Sequence, residues 1–200
     1  VYKRQKGDSV EALSRQSIRS TKQSIIHQLN QYNVRNFQPQ DVREVHALIQ
    51  SCPSLDLNSL YAYALLAEHH TDTCFVAYDH KGQICGAVTG YICPEEPDTY
   101  FLWQIAVSPT VQGKGIGSLL LDNVREQCLE PRQLKRLKTT ISPSNKASQN
   151  LFRSFASRFD VDCKVSPFLS KQALQPLEPE PFETQHEPED LYTLGRWDWN

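Results

Sequence analysis

Between Val107 and Gly117 the chain reads Val-Ser-Pro-Thr-Val-Gln-Gly-Lys-Gly-Ile-Gly, and this run constrains the fold more than any other. It joins an apolar, strand-like stretch (Phe101 to Val107) to a leucine-rich, helix-like one (Ile116 to Val124). Glycines stand at alternate positions 113, 115 and 117, where the helix should begin. A helix start carries backbone N–H groups that lack intrahelical partners, at the positive end of the helix dipole. Such a junction binds phosphate, and glycine lets the backbone approach closely at positive φ. The bland alternative is a glycine-rich turn that only caps a helix, although helix starts favour Ser, Thr, Asn or Asp.

Spacing sorts the phosphate loops. A P-loop requires Gly-Lys followed by Ser or Thr, whereas Gly113-Lys114 is followed by Gly115. A dinucleotide fingerprint requires Gly-x-Gly-x-x-Gly and an acid about 20 residues later; here the spacing is Gly-x-Gly-x-Gly, and Glu130 is the only acid near that position. The spacing that fits is Gln/Arg-x-x-Gly-x-Gly/Ala, read as Gln112, Gly115 and Gly117. This resembles the pyrophosphate motif of the GNAT acyl-CoA N-acyltransferase family.

Two hundred residues suit one domain with tails. A net charge of −2 gives no general nucleic-acid or membrane reading. The charge is uneven: residues 1–31 carry six Lys/Arg against two acids, and 171–200 carry seven acids against two basic residues. The expected organisation is a polar, flexible or loosely helical extension over 1–31 and a single domain over 32–200. An acidic, proline-rich segment at 176–190 belongs to that domain. The six cysteines form no Cys-x-x-Cys pair and no zinc spacing with histidine, so no metal is expected. Without a signal-like segment or an apolar run near 18 residues, a reducing, cytoplasmic setting is expected. The chain does not begin with Met, which leaves open a targeting segment ahead of it.

Element patterns run as follows. Asn33 to Phe37 reads as a strand. Pro39 to Asp41 opens a helix with Val42, Val45, Leu48 and Ile49 on one face. A second helix runs from Asn58 or Ser59 to His70, with Asp56 or Asn58 as cap. Thr73–Tyr78 and Ile84–Tyr91 form a hairpin around Lys81-Gly82, Pro94 to Asp98 makes a loop, and Thr99–Val107 is a central strand. After the glycine loop and its helix come a strand at Leu137–Ile141 and a helix that turns Ala147, Leu151, Phe152 and Phe155 inward. Strand-like segments follow at Val161–Val165 and Leu191–Trp197. This order is α+β with a mixed sheet. It also matches GNAT topology, which implies a mostly antiparallel central sheet of about seven strands flanked by about four helices.

Three blocks narrow the resemblance: Cys52 to Tyr63, Pro97 to Val107, and Thr139 to Ala156. Together they are similar to the L-2,4-diaminobutyrate acetyltransferases of ectoine biosynthesis, over about Asn33 to Tyr192. The resemblance implies acetyl transfer from acetyl-CoA to the γ-amine of a small diamino acid, by a homodimer. Other acceptors (a polyamine, another diamino acid, a protein lysine) and a non-catalytic acyl-CoA sensor remain alternatives.

Backbone N–H groups at Ile105, Ala106 and Val107 are then expected to hold the thioester oxygen. Gln112, Gly113, Lys114, Gly115, Ile116 and Gly117 would take the pyrophosphate. Asn145 would reach the pantetheine arm or serve as a helix-start residue. Phe152 stands where many GNAT members carry a proton-donating tyrosine, and is expected to pack against the cofactor. Ammonium recognition calls for acids and aromatic faces, which Asp56, Tyr61 and Trp103 supply beside Asn58. Asp56 could equally be a helix cap, and Trp103 core. Glu189 and His186 are the candidates for ammonium anchor and base, a solvated acidic run being the alternative. Tyr61 is the candidate replacement for the missing acid. No cysteine stands out as a nucleophile, so transfer should be direct.

Overall fold

Helix α1 (Val42–Gln50) buries Val42, Val45, Leu48 and Ile49, the i, i+3, i+6, i+7 set that one helical face requires. Its N-terminus follows a 3-10 turn at Pro39–Asp41, where proline's fixed φ and missing N–H cost nothing. Helix α2 (Leu60–His69) starts at Ser59, whose hydroxyl accepts from the Ala62 N–H at 3.2 Å. The cap is therefore Ser59, not Asp56 or Asn58, which releases both residues from that duty.

The computed structural model describes residues 31–174 and 187–199; most of the polar extension expected over 1–31, and residues 176–186 of the acidic segment, lie outside them. Seven strands form one sheet: β1 (Tyr32–Asn36), β2 (Phe75–Asp79), β3 (Ile84–Cys93), β4 (Glu96–Val107), β5 (Arg136–Ile141), β6 (Cys163–Leu169) and β7 (Glu189–Gly195). Their spatial order is β1-β2-β3-β4-β5-β7-β6, so the long apolar β4 is the middle strand. Every pairing is antiparallel except β4 with β5. Helices α3 (Ile116–Val124), extended by a π-helical turn at Arg125–Leu129, and α4 (Lys146–Arg158) complete the α+β architecture.

Both faces of the sheet are covered. On one face Leu102 of β4 packs with Ile116, Leu120 and Leu121 of α3 and Phe152 and Phe155 of α4. On the other, Ala106 packs with Val45 and Ile49 of α1 and Tyr63 and Leu66 of α2. Full burial of each Val, Leu, Ile or Phe side chain among these contributes roughly 1.5–3 kcal/mol.

Two irregularities of β4 shape the site. The parallel ladder with β5 covers only Thr99 to Phe101, opposite Arg136 to Lys138, whereas β5 continues along β7 to Ile141. Past Phe101 the two strands splay. On the β3 side, Gln104 pairs with Thr89 and Leu102 with Gly90, which leaves Trp103 as the extra residue of a bulge. A bulge inverts the side-chain alternation beyond it. Leu102 and Ile105 accordingly share one face of the sheet, while Trp103 and Ala106 share the other. Gly90 opposite the bulge admits no side chain, because a Cβ there would collide with the Tyr100 ring and the Phe101 carbonyl.

Some expected boundaries shift. The loop expected at Pro94–Asp98 shrinks to a two-residue turn, since β4 already begins at Glu96. Ion pairs from Glu96 to Lys138 (2.5 Å) and Asp98 to Arg136 (2.7 Å) tie that end to β5. The strand expected at Val161–Val165 runs from Cys163 to Leu169, and β7 covers Glu189–Gly195 rather than Leu191–Trp197.

Candidate active site

The glycine loop adopts conformations that its sequence requires. Gly113 and Gly115 have φ of +77° and +83°, left-handed values that other residues reach only at a cost. A Cβ on Gly113 would meet nothing within 4 Å, so the loop backbone faces open space. Gly115 is the N-cap of α3 and carries no side chain to occupy its first-turn N–H groups. A Cβ on Gly117 would sit 3.2 Å from Leu151, so the third glycine sets the spacing of α3 and α4. Gln112 donates from Nε2 to the Val107 carbonyl at 3.4 Å, closing the loop onto the strand end.

Between this loop, the splayed edge of β4 and the start of α4 lies a cavity of about 500 Å³. Ile105, Ala106 and Val107, Gln112 and Gly113, Gly115 to Gly117, and Asn145 all line it, as do Cys52 to Leu55. Lys114 is exposed and is not part of the wall. Phe152 is not part of it either: it is 1% exposed within the core, and the neighbouring Leu151 faces the cavity instead. Phe152 thus fills the core rather than contacting the cleft.

A second cavity, of about 250 Å³, adjoins the first, and Ser54, Leu55 and Asn145 line both. Its wall includes the carboxyl-bearing residues Asp56 and Glu189, with Asn58, the Trp103 indole, Gln104 and Thr140. Leu169 and Leu174 close an apolar side. Burial pushes the Glu189 carboxyl above its ordinary range, opposed by a hydrogen bond with Thr140 and reinforced by the charge of Asp56. Glu187 accepts from the Ser144 N–H at 3.1 Å and so fastens the approach to β7 against the start of α4. His186 lies outside the described residues.

Asn145 takes the helix-start role considered for it, and it also lines both cavities. Its Oδ1 accepts from the Ser148 N–H at 3.0 Å as the N-cap of α4, which directs its amide NH2 group to any ligand contact. Tyr61, expected from sequence to replace the missing acid, lines neither cavity and is 72% exposed, so it is misplaced for donating a proton to a thiolate in the cleft. Tyr63, on the same helix, is fully buried, and its hydroxyl donates to Gln104 Oε1 at 3.0 Å. Gln104 in turn donates to the Asp56 carbonyl at 2.6 Å. Gln104, Thr140, Leu169 and Leu174 carry no local motif, and sequence reasoning missed them.

Cys52 is the cysteine lining the cleft. Burial raises its thiol above the ordinary range, and Sγ points to the Leu48 and Val107 carbonyls at 3.4 and 3.6 Å. A buried thiol facing carbonyl oxygens is disfavoured as thiolate, which is the nucleophilic form. Among the described residues no group of three or more His, Cys, Asp or Glu side chains could hold a metal ion. No helix there is long and apolar enough to cross a membrane.

These features agree with similarities to known proteins. Residues 40–156 match the acetyltransferase (GNAT) family model. The chain is 37% identical to the L-2,4-diaminobutyric acid acetyltransferase of Halomonas elongata, over 84% of this chain and 83% of the relative. It is 40% identical to the enzyme of that name from Bordetella parapertussis, over 71% and 76%. The solved structure of diaminobutyrate acetyltransferase from Paenibacillus lautus, in complex with L-2,4-diaminobutyric acid and coenzyme A, superposes with a TM-score of 0.74 at 33% identity. That match spans 82% of this chain and 95% of the other.

Proposed function

Because the chain belongs to the GNAT acetyltransferase family, we propose that it transfers the acetyl group of acetyl-CoA to the γ-amine of L-2,4-diaminobutyrate, for ectoine synthesis in the cytoplasm. The observation that carries this reading is the meeting of two unlike cavities at Ser54, Leu55 and Asn145. One presents backbone donors suited to a pyrophosphate and a thioester. The other presents two carboxyl groups and an indole face, suited to a small molecule with two ammonium groups.

The chemistry assigned to the residues follows from charge and position. Gln112 to Gly117 and the N-terminus of α3 hold the pyrophosphate. Backbone N–H groups along the splayed edge of β4, from Ile105 to Val107, steady the negative charge that develops on the thioester oxygen. An alkyl ammonium titrates at about 10, so a proton must leave before nitrogen attacks. Glu189, held above the ordinary carboxylate range by burial, is better matched to take that proton than an exposed glutamate. Asp56 and the Trp103 face hold the second ammonium group away from the thioester, which directs the γ-amine to it. The departing thiol, ordinarily titrating at about 8.5, leaves without a dedicated tyrosine donor, consistent with a buried Phe152 and an exposed Tyr61.

A homodimer is part of the proposal. Leu60, Tyr61 and Leu65 on α2, and Val165 and Phe168 on the edge strand β6, are large apolar groups left exposed. Light scattering of the purified chain at twice the monomer mass would support this, and a monomer would refute it.

The function is tested by acetyl-CoA-dependent thiol release with L-2,4-diaminobutyrate beside ornithine, lysine and spermidine, and the acetylated nitrogen is assigned by NMR. Preferred turnover of diaminobutyrate at the γ-nitrogen is expected. Preference for another amine, or acetylation at the α-nitrogen, would overturn the proposal.

A further inference from the structure

Asp56 and Asn58 sit on the stretch between α1 and α2, and two buried side chains grip that stretch at both residues. The Asn58 N–H donates to the Tyr63 hydroxyl at 3.2 Å. The Tyr63 hydroxyl donates to Gln104 Oε1 at 3.0 Å, and Gln104 Nε2 donates to the Asp56 carbonyl at 2.6 Å. Each link has only one workable direction. The Asp56 carbonyl only accepts, so the Gln104 amide must present its NH2 there and its oxygen to Tyr63. The Tyr63 hydroxyl then donates to that oxygen and accepts from Asn58. Tyr63 is 0% and Gln104 7% exposed, so solvent offers little substitute for a lost partner.

The bulge at Trp103 makes the arrangement possible. Without the extra residue, Gln104 would lie on the opposite face of the sheet from Trp103; with it, both line the second cavity. The strand therefore supplies an aromatic wall for the substrate and, from the next residue, the group that fixes the loop carrying Asp56.

Resting on the function proposed above, we infer that Tyr63 and Gln104 are positioning residues for diaminobutyrate. They clamp the Asp56–Asn58 backbone so that the Asp56 carboxylate meets the second ammonium group, and they take no part in binding acetyl-CoA. Neither Tyr63 nor Asp56 lines the cofactor cleft, so the clamp acts on one substrate.

The test uses two near-isosteric variants of the full chain. Tyr63→Phe deletes the hydroxyl that joins Asn58 to Gln104, and Gln104→Glu sets an acceptor against the Asp56 carbonyl. Steady-state rates are measured with each substrate varied in turn, beside thermal unfolding, so that a variant that melts below the assay temperature leaves the other to decide. The clamp predicts that KM for diaminobutyrate rises about tenfold, the effect expected when a buried partner is stranded. KM for acetyl-CoA should stay within about twofold, and the double variant should be no worse than the weaker single one. An unchanged diaminobutyrate KM in a folded variant, or equal rises in both KM values, would overturn it. The wild-type rate in the same assay separates the two levels. No wild-type turnover of diaminobutyrate sinks the functional reading and the clamp with it, whereas wild-type turnover with unaffected variants sinks the clamp alone.

Discussion

The two cavities are built from different parts of the polypeptide. The cofactor cleft is largely a backbone construction: alternate glycines, the start of α3 and a strand edge freed by the splay of β4 from β5. The neighbouring pocket is a side-chain construction drawn from the α1–α2 connection, β4, β5, the end of β6 with the turn after it, and β7. A backbone site recognises what every acyl-CoA shares, phosphate and thioester. A side-chain site can be altered residue by residue to recognise one amine. Generic binding and specificity are thereby assigned to separate walls that, among the described residues, share Ser54, Leu55 and Asn145.

If that division holds, substitutions should separate cleanly by substrate. The largest effect is expected for Glu189→Gln: kcat/KM for diaminobutyrate should fall about 10²–10⁴-fold, the usual worth of a positioned base. The Kd of acetyl-CoA, measured by calorimetry, should not move. Loss of acetyl-CoA binding in that variant would break the comparison. Gly115→Val should act in the opposite sense, because a β-branched residue at φ +83° is strained and would turn the loop from the pyrophosphate. KM for acetyl-CoA should rise at least about tenfold with the diamine KM within about twofold.

The pH profile sharpens the same comparison. Glu189 must be ionised to hold an ammonium group or take its proton, and burial raises its pKa. kcat/KM for the diamine should therefore fall as pH drops through that raised value. Asp56→Asn, by removing a negative charge that helps raise it, should move the acid limb to lower pH. Acetyl-CoA binding should lack this limb. The linked stability has a defined sign: Glu189→Gln should unfold at higher temperature than wild type above the raised pKa, and the difference should fade as pH falls below about 4.3, where glutamate is protonated in both states. The smallest catalytic effect is expected for Phe152→Tyr. It should leave kcat within about twofold and cost about 1–3 kcal/mol of stability through a hydroxyl buried in the core.

The same contrast explains what could be read in the sequence. A backbone site is contiguous, and Gln112, Gly115 and Gly117 marked the cleft before any fold was known. The burial of α1 and the central place of β4 were legible from apolar spacing for the same local reason. The pocket was legible only where a residue type announced its chemistry, as Asp56, Trp103 and Glu189 did. Gln104 was hidden because strict alternation sends it away from Trp103, and nothing local signals the bulge that brings it back. The exposure of Tyr61 was not legible because α2 is apolar nearly all round: Leu60, Tyr61 and Leu65 are exposed while Tyr63 and Leu66 are buried, so periodicity could not choose the inward face. Leu169 reaches the pocket through the pairing of β6 with β7, where it stands opposite Glu189, and no local pattern signals that pairing.

The central claim is direct transfer at the junction of the two cavities. It is tested most directly by initial rates over a matrix of acetyl-CoA and diaminobutyrate concentrations, with the intact protein weighed by mass spectrometry after acetyl-CoA alone. The account predicts intersecting reciprocal plots and no added acetyl mass, because both substrates must be present together and the Cys52 thiol is held protonated by burial. Parallel plots with an acetyl group on Cys52 would contradict it.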